Sequence, residues 1–93
     1  MSRLTDAQLE DALLTLPAWR RAGDALVRDL AFRDAIEAVG FIVRLAALQE
    51  RADHHASVTW TYASVSLALS THDEGGITEK DVALAREIEE RVA

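Results

Sequence analysis

Ninety-three residues, 49% apolar and 28% charged, have the composition of one soluble globular domain, expected to span 1–93. Ten basic residues against sixteen acidic ones leave a net charge of −6, which argues against a binder of nucleic-acid phosphates and, more weakly, of anionic membrane surfaces. With no cysteine, disulfides, thiolate nucleophiles and cysteine zinc sites are excluded.

No apolar run approaches the roughly 18–20 residues of a spanning helix. The N-terminus lacks the basic and apolar regions of a signal peptide, so a cytoplasmic location is expected. A chain this short buries only about 60–65% of its unfolded surface, and association of copies would add stability.

Residues 5–16 read as a helix. Thr5 followed by Gln8 fits a capping box, Leu9, Leu13 and Leu16 recur at helical spacing, and Pro17 stops it. Residues 18–31 read as a hairpin turning at Gly23-Asp24. The longest helix is expected over 33–51. It carries one apolar stripe of Ile36, Val39, Val43 and Ala46 beside a second of Phe41, Leu45 and Leu48. Two stripes fit either a broad core face or a core face plus a partner subunit. Residues 57–71 alternate, with Val58, Trp60 and Tyr62 and then Val65, Leu67 and Leu69 on one face, against Ser and Thr on the other. That pattern predicts two antiparallel strands with one buried face, turning at Ala63-Ser64. On pattern alone Trp60 belongs to the sheet core. Residues 73–76 form a loop, and Thr78 caps a last helix bearing Val82, Ala85, Ile88 and Val92. The order α-β-β-α-β-β-α defines an α+β fold, a four-stranded antiparallel sheet with helices packed on one face.

All three histidines fall between 54 and 72. Asp53-His54-His55 precedes the second hairpin and His72 follows it. A hairpin returns on itself, so its ends bring these imidazoles together. Imidazole suits proton transfer near neutral pH, and Glu50, Asp53, Asp73 and Asp81 stand by to orient the rings. Three readings compete: acid–base catalysis, a solvated polar rim, and a zinc site. Adjacent histidines rarely share one ion and the HExxH spacing is absent, which disfavours the metal. Trp19 reads as a core plug or as a flat wall for a planar ligand.

On these residues the sequence resembles the pterin-4a-carbinolamine dehydratase family. The family pattern runs here as Glu50, His54, His55, Ala56, Tyr62, His72 and Asp81 at the family's intervals, with Ala56 where Pro, Cys or Ser is usual. Gly40-Phe41, Ser70-Thr71-His72, Gly75-Gly76-Ile77-Thr78 and Trp19 before a short hairpin extend the likeness along nearly the whole chain. The resemblance implies the fold just read and homo-oligomers, dimers joined edge to edge by their sheets or tetramers packed through the long helix. It implies loss of water from a 4a-hydroxytetrahydropterin, giving quinonoid dihydropterin, with no metal and no organic cofactor. Under it His54 and His72 transfer protons and His55 binds and orients the substrate. Asp81 positions an imidazole or caps its helix, Glu50 and Asp53 lend polarity, and Trp19 and Tyr62 contact the pterin. Relatives on this fold also act without catalysis, as a dimerisation cofactor of a transcription factor and as a Rubisco assembly factor, so a binding protein is the alternative.

Overall fold

The computed structural model describes residues 2–92. The elements are α1 (Asp6–Leu13), β1 (Arg20–Ala22), β2 (Ala25–Ala31), α2 (Ala35–Ala52), β3 (Ser57–Thr61), β4 (Ser64–Leu69), a short 3-10 turn (His72–Glu74) and α3 (Glu79–Val92). The expected α-β-β-α-β-β-α order holds.

α1 starts as the sequence predicts. The Gln8 N–H donates to Thr5 Oγ1 and the Thr5 N–H donates to Gln8 Oε1. It ends earlier than predicted. The N–H groups of Leu14, Thr15 and Leu16 reach back only three residues, a tightening that carries the chain into Pro17 while still burying Leu16.

The strands pair antiparallel in the order β1-β2-β4-β3. Leu26 faces Leu69 and Leu30 faces Val65 across the central pair, and Val58 faces Leu67 and Trp60 faces Val65 at the β3 edge. The helices cover the middle of this sheet. Leu26, Leu30, Val65, Leu67 and Leu69 are buried against Phe41, Leu45 and Leu48 of α2 and Val82, Ala85 and Ile88 of α3. On the open face, a hydrogen bond from the Ser66 hydroxyl and another from Arg20 hold the Asp29 carboxyl below its usual range.

Three expectations fail here. The first is a buried face on both strands of the second hairpin. Every residue of β3 is exposed, because β3 is an edge strand beyond the helices' reach. Trp60 is 50% exposed and donates its Nε1–H to the Tyr62 carbonyl at 2.6 Å, so it is not core. The second is the turn, which falls one residue early, at Tyr62-Ala63. Tyr62 takes φ 53, a left-handed conformation bulky residues seldom adopt. The third concerns α2. Phe41, Leu45 and Leu48 are core, but Ile36, Val39 and Val43 are 83%, 37% and 64% exposed, which overturns the single broad core face.

Candidate active site

Two reversals of the chain build the site. The first ends α2. Asp53 adopts φ 52, and its N–H returns to the carbonyls of Gln49 and Glu50. This sharp stop sends His54 inward towards α3 and leaves His55 on the surface. The next link is Ala56, where the resemblance implies Pro, Cys or Ser. Its N–H donates to Oε1 of Gln49 at 2.7 Å, and Gln49 is buried. A hydrogen bond thus anchors this segment where proline would act by ring stiffness.

The second reversal follows β4. The Thr71 N–H donates to the Gly76 carbonyl at 2.8 Å and the Gly76 N–H donates back at 3.3 Å, closing a small loop over the His72–Glu74 turn. Gly75 caps that turn at φ 70, a conformation natural to glycine. His72 is exposed at the start of the turn.

The side chains then meet. His54 Nε2 lies 2.5 Å from Oδ1 of Asp81, with the His54 side chain 12% exposed and Asp81 fully buried. Asp81 also caps α3, accepting the Thr78 N–H at 2.9 Å through Oδ2, while Thr78 Oγ1 accepts the Lys80 N–H at 3.2 Å. Both roles expected of Asp81, orienting an imidazole and capping a helix, fall to one carboxylate. His55 Nε2 meets Oε2 of Glu50 at 2.6 Å, but this pair is largely solvated and worth about 0–1 kcal/mol.

An open cleft of about 340 Å³ is lined by His54, His55 and His72 together with Asp53, Thr71 and Lys80. The convergence expected from the hairpin is therefore present. Clefts of about 510 and 600 Å³ lie elsewhere, beside Arg3 and beside Arg44, but neither is lined by a histidine. Among the described residues no group of three or more His, Asp or Glu is placed to hold a metal ion. No helix among them is long and apolar enough to cross a membrane.

Two sequence-predicted members lie away from this cleft. Trp19 is a core residue, 5% exposed, with Nε1–H donating to Oε1 of Glu89 at 2.7 Å, so no face is open for a planar ligand. That oxygen also accepts Arg28 Nε–H at 2.8 Å, which ties β2 and Trp19 to α3. Tyr62 sits at the turn of the β3–β4 hairpin, the opposite end from His54 and His72, and is 72% exposed. Sequence reasoning gave no role to Thr71, Gln49 or Lys80. The capping-box spacing of Thr78 and Asp81 and the chain's sole lysine were the available signals for this corner.

Fold and site together define an α+β domain that gathers imidazoles, carboxylates and hydroxyls suited to moving protons. Residues 2–91 match the family model described as Pterin 4 alpha carbinolamine dehydratase, and the chain belongs to that family. A protein of Thermomicrobium roseum, named as a candidate pterin-4-alpha-carbinolamine dehydratase, is 49% identical over 97% of both chains. A solved structure described as a transcriptional coactivator/pterin dehydratase from Brucella melitensis superposes with a TM-score of 0.94. It is 33% identical over 99% of this chain and 100% of its own. A pterin dehydratase-like protein identified as a RuBisCO assembly factor of the alpha-carboxysome superposes with a TM-score of 0.67. It is 25% identical over 78% of this chain and 87% of its own.

Proposed function

We propose that this chain is a hydro-lyase that dehydrates a 4a-hydroxytetrahydropterin to the quinonoid dihydropterin, returning an oxidised pterin for recycling. The observation that carries the reading is the His54–Asp81 pair opening on a cleft shared with His55 and His72. Hydroxide is a poor leaving group, so one imidazole protonates the hydroxyl on C4a. The C4a–O bond breaks and water departs. The other imidazole takes the N5 proton, and the N5 electrons form the C4a=N5 bond. His54 and His72 perform these transfers. His55, held by Glu50, binds and orients the pterin.

The test is dehydration of chemically generated 4a-hydroxytetrahydropterin, followed with and without EDTA. Acceleration over buffer that EDTA leaves unchanged is expected. No acceleration would remove the dehydratase reading, and loss in EDTA restored by zinc would show that a metal takes part.

The second reading is a binding or assembly protein on the same fold, as the carboxysome neighbour's description has it. Three histidines gathered at one cleft favour the enzyme. Both readings share a homo-oligomer. Val58 and Trp60 lie exposed on the edge strand, and Ile36, Val39 and Val43 on α2, apolar surface that a second copy of the chain would cover. Light scattering at micromolar concentration is expected to give a dimer or larger species; a mass near 10.2 kDa would contradict this.

A further inference from the structure

Asp81 is fully buried, so its oxygens must be met inside the fold. Oδ2 accepts the Thr78 N–H at 2.9 Å and the Thr71 hydroxyl at 2.8 Å, and Oδ1 faces His54 Nε2. A hydroxyl carries one proton, and Thr71 gives its own to Asp81. The 2.8 Å contact between Thr71 Oγ1 and Thr78 Oγ1 is therefore donated by Thr78. Thr78 in turn accepts from the Lys80 N–H. The donors run one way, from Lys80 N–H through Thr78 and Thr71, and end on the carboxylate that faces His54.

We propose that Thr71 is a positioning residue of this site: by orienting Asp81 it holds His54 in the tautomer protonated at Nε2, leaving the lone pair on Nδ1 for the cleft. Nδ1 bonds to no described group. Since no buried side-chain nitrogen among the described residues lacks a partner, Nδ1 is in contact with solvent. The same residue places His72 through its main chain, because the pair of hydrogen bonds between Thr71 and Gly76 fixes the start of the turn that carries it. The side chain of Thr71 thus governs one imidazole and its backbone the other. Replacing the hydroxyl alone separates these roles.

The test uses protein labelled with ¹⁵N at histidine, at mildly alkaline pH where imidazole is neutral. Long-range proton–nitrogen spectra of the wild-type chain are expected to show His54 protonated at Nε2. T71V, of similar shape but without the donor, should populate the Nδ1–H tautomer and lower kcat about tenfold with KM little changed. T71S should restore both. A wild-type His54 protonated at Nδ1 overturns the proposal without any variant, as does a folded T71V with wild-type tautomer and kcat. The kinetic arm rests on the dehydratase reading. If the wild-type chain dehydrates no pterin, that reading falls while the spectra still decide the role of Thr71.

Discussion

Replacing His54 and His72 together by alanine is expected to abolish most pterin dehydration while leaving the chain folded but less stable, since His54 pairs with the buried Asp81. A positioned general acid or base contributes about 10²–10⁴-fold. The two rings line one cleft from opposite reversals of the chain, one half-sealed against Asp81 and one open to solvent. Each single variant should lose less than the product rule requires of the pair, since the remaining imidazole or water can relay a proton, and groups acting as a unit are non-additive. His55→Ala should instead raise KM, because His55 is surface-held by a solvated Glu50 and lies beside the reacting atoms in this reading. Circular dichroism separates lost chemistry from lost structure. The His72 side chain makes no hydrogen bond within the described residues, so its removal has little reason to unfold anything. A folded double variant that turns over at the wild-type rate would end the catalytic assignment and bring the binding-protein reading forward.

How far the sequence reaches is clearest at the two hairpins. Alternation over 57–69 states which residues share a face, and Val58, Trp60, Val65 and Leu67 do share one. It does not state what covers that face. Helices over β2 and β4 bury Val65 and Leu67, and the same pattern one strand outward leaves Trp60 half in water. The turn falls one residue before the expected Ala63-Ser64 because Tyr62 does a glycine's work at φ 53, with no compositional sign of it. The site divides in the same way. His54, His55, His72 and Asp81 were legible through their types and intervals, whereas Thr71 and Gln49 are neutral polar residues with no periodic signature. Their roles follow from contacts across 10 and 7 residues that only the folded chain displays. Trp19 was legible only as a choice between core and ligand wall, and burial against Glu89 decides it.

The two histidine–carboxylate pairs also predict responses of very different size to the same deletion. The pairs are chemically alike, at 2.5 and 2.6 Å. Their surroundings differ. Glu50 is 76% exposed, and Glu50→Ala is expected to change stability by at most about 1 kcal/mol, as solvated pairs do. Asp81 has no exposure and serves three donors from three segments: His54 after α2, Thr71 after β4, and the Thr78 N–H opening α3. Asp81→Ala removes the acceptor of all three, and the Thr78 N–H it abandons is fully buried. Leaving a buried donor without its acceptor typically costs about 1–3 kcal/mol, and more where the lost acceptor is charged. A domain of this length has roughly 5–14 kcal/mol in total. Urea unfolding should therefore show a sharply lowered midpoint for Asp81→Ala, with His54 released and α3 frayed at its first turn. Asp81→Asn keeps the shape and one acceptor and should recover part of the stability. It should not recover turnover, because an amide cannot hold His54 as a carboxylate does. If Asp81→Ala instead unfolded within about 1 kcal/mol of wild type, the buried network would be only loosely formed in solution, and the anchoring of His54 described above would be wrong.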